Sequence, residues 1–304
     1  MCIRDRIIIT SSHINDTYAA RELIEKEPEL LCTTVGFHPH NAKDYNDNYY
    51  NEMLKLCNQS YVKAIGECGL DYKRNYSNKI DQIFCFKRHL ELACEINMPM
   101  FLHEREADKV FLKLVREYIL KIEDVVVHCF TGDKTSLRNY LDLDCYIGIT
   151  GWITDTKRGS HLHDILKYIP SDKLMIETDS PYLSPEPLRG KVNQPANLLH
   201  TINKLAEELA VLTERGLNGG QKGALAGDST IRAISDRLKK LTTEPIFGYA
   251  EKPIYLANLG VSTTKSGGLK LNERMFDLAF KDDPQSLTAL FSKCFLASTY
   301  SSEL

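Results

Sequence analysis

Along roughly the first two hundred positions, apolar residues fall into two kinds of run that take turns. Short β-rich runs at Arg6–Thr10, Leu31–Gly36, Val62–Gly66, Met100–His103, Val125–Cys129, Cys145–Thr150 and Leu174–Thr178 read as strands. Between them, Asp16–Lys26, Asn48–Asn58, Asn78–Ile96, Ala107–Tyr118, Lys134–Leu141, Leu162–Tyr168 and Asn197–Ala210 carry apolar residues three and four apart, the spacing of one helix face. Strands that are apolar throughout and separated by helices predict a parallel sheet covered on both faces. An open doubly wound sheet and a closed barrel both satisfy that pattern. The first would open with a glycine-rich turn after its first strand, and Ser11-Ser12-His13-Ile14-Asn15 is no such turn. Several strands instead run into ionisable side chains where the next loop begins, as a barrel does when it gathers chemistry at one mouth. The expected fold is therefore α/β and TIM-barrel-like.

From Leu212 onward the alternation stops. Gly216–Gly220 and Thr263–Gly268 are polar, glycine-rich punctuation, with short helices predicted at Asp228–Leu241 and Asn272–Phe280. The chain divides on this reading into a barrel domain, 1–210, and a partly helical C-terminal extension, 211–304, in which no motif names a chemistry.

Charge removes one class of partner. With 38 Lys and Arg against 41 Asp and Glu, the net charge of -3 argues against wrapping a duplex by bulk phosphate neutralisation, while leaving room for one phosphate at a metal site. The nine cysteines are odd in number and form no CxxC pair, which points to a reducing compartment. No apolar run approaches the roughly 18 to 20 residues of a membrane helix, so no membrane partner is expected and the cytoplasm, with the nucleus as alternative, is the expected location.

The strongest constellation is Glu67, His103, His128 and Asp179, four potential ligands read at four strand ends. Imidazole nitrogens and carboxylates together suit a divalent ion, and a carboxylate such as Glu67 can bridge two. Asp179 also suits accepting a proton from an attacking water. Arg105, in His103-Glu104-Arg105, offers a rigid donor fork to a phosphate or carboxylate. Arg189 and Asn193 sit in a Leu188–Pro195 loop able to cover a phosphate. The chain has no GxxxxGK[ST] loop, GxSxG elbow or zinc-finger spacing.

Taken together, GFHPH at 36–40, GECGLDY at 66–72, PMFLHER at 99–105, VVHCFTG at 126–132, LMIETDSPYLSP at 174–185 and RGKVNQPANL at 189–198 closely resemble the TatD family of metal-dependent hydrolases, in order and spacing, over residues 5 to 210. The resemblance implies a TIM-barrel phosphodiesterase, a deoxyribonuclease with 3′-to-5′ exonuclease action on DNA and in some members RNA. It implies one or two divalent ions, Mg2+ first with Mn2+ or Zn2+ as alternatives. It makes Glu67 a shared ligand, His103 and His128 ligands of one ion, and Asp179 a ligand of the other and a base. It makes His38, Arg105, Arg189 and Asn193 substrate-contacting positions, with nucleic acid as the partner.

Two departures qualify what the resemblance implies. The family opens on a strand ending in a DxHxH-like pair, and nothing before Ile7 matches it, so the first βα unit is expected to be missing and the second ion weakly held. The tail beyond Ala210 is longer than the family's. Two other readings stay open from the residues alone: an amidohydrolase acting on a small amide or lactone, and a barrel that binds metal or nucleic acid with weakened catalysis.

Overall fold

The computed structural model describes residues 7–170, 172–213, 240, 255–263 and 269–282. The chain packs as two compact units, one spanning Arg6–Gly148 and the other holding Ile149–Leu304. The composition boundary near 210 falls inside a helix of the second unit, Leu198–Thr213.

The first unit runs β1 (Ile7–Ile9), α1 (Ile14–Ile24), β2 (Leu31–Val35), α2 (Asn48–Cys57), β3 (Val62–Asp71), α3 (Lys79–Ile96), β4 (Met100–Arg105), α4 (Asp108–Tyr118), β5 (Val125–Val127), α5 (Lys134–Leu141) and β6 (Tyr146–Ile149). Each strand pairs in parallel with the next in chain order. That order decides between the two architectures left open by the pattern. A doubly wound sheet reverses direction at a switch point, whereas six strands added one after another without reversal are wound as a TIM barrel is. The fold class is α/β, TIM-barrel-like.

Helix ends follow local chemistry. Asn78 caps α3 by accepting the Ile80 and Asp81 N–H groups, and Asn97 ends that helix in the left-handed region at φ 49°. Asp133 caps α5 through the Ser136 N–H. The core lies between sheet and helices, with Val35, Ile65, Leu70, Met100, Leu102 and Ile147 from the strands and Phe86, Leu90, Phe111 and Leu137 from the helices buried.

One polar residue sits inside this core. The His89 ring is wholly buried, with Nε2 accepting the Phe37 N–H at 3.0 Å and Nδ1 set 2.7 Å from the Cys85 carbonyl, which fixes a neutral ring donating from Nδ1. Burial lowers its pKa to about 4, against a partial opposing pull from the Cys85 carbonyl. The unfolded chain takes up this proton below about pH 6.5 while the folded chain resists it down to about 4, so its contribution is present above 6.5 and lost as pH falls between the two. The expected loss is about 3 kcal/mol. Urea unfolding of wild type and His89→Gln at pH 7 and pH 4.5 checks it: the acid loss shrinks in the variant, and an equal loss in both proteins counts against the assignment.

The second unit holds a 3-10 turn at Gly151–Thr154, α6 (Ser160–Ile165), β7 (Leu174–Ile176), α7 (Leu198–Thr213), the antiparallel pair β8 (Val261–Thr263) and β9 (Leu269–Leu271), and α8 (Glu273–Asp282). Beyond β7, the Glu177 N–H donates to the Ile149 carbonyl. The helix expected at Leu162–Tyr168 starts earlier and tightens into a 3-10 turn at Leu166–Tyr168. The one expected at Asn272–Phe280 is α8. The helix expected at Asp228–Leu241 lies outside the described residues except for Lys240. Among the described residues no helix is long and apolar enough to cross a membrane.

Candidate metal centre

The sequence pattern ends β3 at Gly66, but the strand continues to Asp71, and this changes how Glu67 is presented. Gly66 pairs with Phe101 and Cys68 with Leu102, so Glu67 is an extra residue bulged out of the β3–β4 ladder, with its own N–H donating to the Ser11 carbonyl at 2.9 Å. A bulge re-aims a side chain. Glycines on either side permit it: Gly66 and Gly69 have φ of 149° and 140°, and a Cβ on either would run into the backbone carbonyl of Phe101 or His103. Glu67 and His103 thus stand within strands rather than at their ends.

Four predicted side chains come together in this unit. Oε1 of Glu67 lies 3.2 Å from His38 Nε2, 2.9 Å from His103 Nδ1 and 2.7 Å from His128 Nε2. Ligating atoms of His38, Glu67 and His103 all fall within 4.8 Å of one another, as a shared cation requires. His38, read from the sequence as a substrate contact, therefore belongs to the cluster. His128 adjoins it through Glu67 and stacks on Phe101 with ring centroids 4.6 Å apart.

The environment fits a divalent ion. Glu67 and His38 are each only 9% exposed. Burial alone would push the Glu67 carboxyl up, but the His128 and His38 charges and the hydrogen bonds from His103 and His128 hold it well below the usual carboxylate range. A buried, ionised carboxylate ringed by imidazoles is an anionic oxygen among nitrogen donors. Nε2 of His103 is buried without a hydrogen-bond partner, 3.5 Å from Asp71 Oδ2. That placement matches a carboxylate that orients a ligating histidine through its far nitrogen, leaving Nδ1 for the ion.

Two residues that sequence reasoning passed over build this support. Asp71 is 1% exposed, and its Oδ2 lies 2.9 Å from His40 Nε2. Burial opposes its ionisation, yet the nearby His103 and His40 rings and the Arg74 N–H lower its pKa far below the ordinary value. The signal was present: Glu67 and Asp71 stand four apart in one extended segment, and His40 follows His38 by two. His38 Nδ1 in turn accepts the His40 N–H at 3.1 Å, so a neutral His38 ring carries its proton on Nε2 and donates toward Glu67.

Arg105 ends β4 with its carbonyl accepting the Tyr72 N–H. Asp179, Arg189 and Asn193 belong to the second unit. Asp179 is held at φ 55°, left-handed backbone that a non-glycine residue adopts at a cost. The buried Asn193 amide pins the segment on both sides of it, donating to the Thr178 carbonyl at 2.9 Å and the Tyr182 carbonyl at 2.7 Å, while its oxygen accepts from Gln194 N and Asn197 Nδ2. Arg189 Nη1 lies 3.2 Å from Asp155 Oδ2 and 3.6 Å from Glu186 Oε1.

Comparison with known proteins places this geometry. Residues 4–217 match the family described as TatD related DNase, and residues 195–301 match a second, described as flagellar hook-associated protein 2 C-terminus. The chain is similar to the 3′-5′ ssDNA/RNA exonuclease TatD of Pectobacterium atrosepticum, 40% identical over 205 residues, covering 66% of this chain and 79% of that one. The protein of the same description from Erwinia tasmaniensis is 34% identical over 231 residues, 75% and 86% of the two chains. Among solved structures, a hydrolase of the TatD family from Entamoeba histolytica superposes with a TM-score of 0.60 at 30% identity, over 67% of this chain and 78% of that one. YJJV, a TatD homolog from Escherichia coli, gives 0.63 at 22% identity over 79% and 87%, a likeness of fold.

Proposed function

Because the chain belongs to the family of TatD-related DNases and is thereby a metal-dependent hydrolase of a family that acts on nucleic acids, we propose that it removes nucleotides from the 3′ end of single-stranded DNA, with RNA as an alternative substrate. The observation that carries the reading is the convergence of three imidazoles on one buried carboxylate oxygen, a cluster suited to a divalent ion.

In this reading Glu67, His103 and His128 would hold the ion, and the family likeness is what gives Asp179 the role of ligand or base. A bound divalent ion supplies Lewis-acid polarisation of the phosphoryl oxygen and makes water acidic enough to attack near neutral pH. Glu67 contributes negative charge in a site from which water is largely excluded. Asp71, beside the far nitrogen of His103, would hold that ring so that Nδ1 could serve as a ligand. His38, its Nδ1 occupied by the His40 N–H, donates from Nε2 toward Glu67 and holds that carboxylate in place. Arg105 contributes a fixed cation to the scissile phosphate. Asp179 accepts the proton released by the attacking water. The imidazole-rich donor set moves the expected ion from Mg2+, which favours oxygen ligands, toward Mn2+ or Zn2+.

Asn193 takes a different role in this proposal from the phosphate contact first expected, because its donors and acceptor are engaged within its own loop. Asn193→Ala is expected to lower kcat about 10- to 100-fold by loosening the Asp179 segment, with KM little changed. Steady-state kinetics with a thermal melt checks this; a lowered Tm with unchanged kcat makes the residue structural only.

The reading is tested with a short single-stranded oligonucleotide labelled at its 5′ end, incubated with the full chain and Mn2+. A ladder of fragments shortening from the 3′ end is expected. Products appearing first at full internal cuts contradict the polarity. Absence of phosphodiester cleavage, with turnover of an amide or lactone, favours the amidohydrolase reading instead.

A further inference from the structure

A second chemistry-bearing cluster lies in the second unit, lining a small open hollow between the 151–159 turn and the 183–189 loop. The Arg158 guanidinium carbon stands 4.3 Å from the centre of the Trp152 ring, a face-on cation–aromatic stack. Asp155, 5% exposed, fixes this arrangement: its Oδ1 accepts the Lys157 and Arg158 N–H groups at 3.0 Å, and its Oδ2 takes Arg158 Nε at 2.6 Å and lies 3.2 Å from Arg189 Nη1. One carboxylate thus anchors two guanidiniums whose side chains are 49% and 50% exposed.

The surrounding loop is built to hold them. Thr154 Oγ1 donates to the Gly151 carbonyl at 2.6 Å and accepts the Glu186 N–H at 2.8 Å, tying the two loops together. A Cβ on Gly159 would run into the Trp152 carbonyl, so the turn closes only with glycine there. Nothing in the metal chemistry uses this cluster. A guanidinium held over an indole, with its side chain about half exposed, is an arrangement on which an unpaired base can stack. Donors of Arg189 that do not face Asp155 suit a phosphate oxygen one step along the strand. Glu186, 3.6 Å from Arg189, trims the local charge and keeps the contact from becoming a generic anion trap.

Resting on the nucleic-acid reading above, we infer that the Trp152–Arg158 stack is a platform for one unpaired nucleobase of a single-stranded substrate, with Arg189 directed at the adjoining phosphate. The site would favour single strands over duplexes, because a paired base offers no free face to stack on.

The chain contains a single tryptophan, so its indole emission reports this platform alone. The full chain is titrated in excess chelator, which prevents turnover, with a short oligothymidylate, with an abasic strand of the same length and with inorganic phosphate. Binding of labelled strands is followed in parallel by anisotropy. Indole emission is expected to quench as oligothymidylate anisotropy rises, and to stay unchanged with the abasic strand and with phosphate. The base-bearing strand should bind about tenfold more tightly than the abasic one. Arg158→Lys, which keeps the charge and removes the plane, should abolish that preference. Anisotropy that rises without quenching, with Arg158→Lys binding both strands as wild type does, overturns the platform and leaves the nuclease reading standing. No strand binding by anisotropy at any concentration overturns both.

Discussion

Glu67→Gln lowers kcat/KM for oligonucleotide cleavage by about a thousandfold or more, which corresponds to about 4 kcal/mol of lost transition-state stabilisation. The substitution keeps the shape of the side chain and removes its charge. Three imidazole nitrogens lie within 3.2 Å of that one carboxylate oxygen, so the amide takes the negative charge away from the point where they meet. Breaking a buried charge arrangement from one side commonly costs about 3 to 5 kcal/mol. Here the cost falls on ion affinity and on the reaction together. The bulge that presents residue 67 depends on Gly66 and Gly69, not on the carboxylate, so the fold should survive. Kinetics, a thermal melt and Mn2+ titration on the same preparation check this. Activity within tenfold of wild type would remove the cluster from the chemistry.

Asp179→Asn lowers kcat by about 100- to 1000-fold, the scale of losing a positioned base. Asparagine is among the few residues that accept left-handed backbone readily, so it can occupy φ 55° as the aspartate does. The variant therefore separates charge from backbone: the Asn193 bonds to Thr178 and Tyr182 have no reason to change. Strain of this kind costs on the order of 1 to 3 kcal/mol and collects at functional sites. A fall in kcat with Tm preserved supports Asp179 as base or ligand. Unchanged kcat assigns the strained conformation to loop structure.

Much of the first unit was legible because its signals are local. Continuous apolar strands and helix-spaced runs gave the element order, and His103 and His128 stood out as polar residues closing apolar strands. Glu67 was found for a partly wrong reason. The apolar run stops at Gly66, whereas the strand continues to Asp71 with Glu67 bulged out of its ladder and the β4 backbone passing close to Gly66 and Gly69. The His40–Asp71–His103 cluster was not legible as a unit, since it joins the 3-10 turn after β2 to β3 and β4 and no spacing along one segment encodes it. His38 read as a pocket residue because its place beside Glu67 depends on how β2 and β3 lie together. Asn193 misled in the opposite way: a polar residue in a loop suggests a surface contact, yet this one is buried with its whole amide engaged. The C-terminal stretch offered punctuation without chemistry, and the likeness of 195–301 to a flagellar hook-associated protein's C-terminus rests on similarity that no catalytic motif announces.

The most direct test is to strip the full chain with chelator, dialyse it against Mn2+ or Zn2+, and measure bound ion and single-strand cleavage on the same samples, for wild type and Glu67→Gln. The account predicts background cleavage in the stripped protein, recovery in step with ion uptake, and neither uptake at this centre nor recovery in the variant. Undiminished cleavage by a protein shown to hold no ion would contradict it.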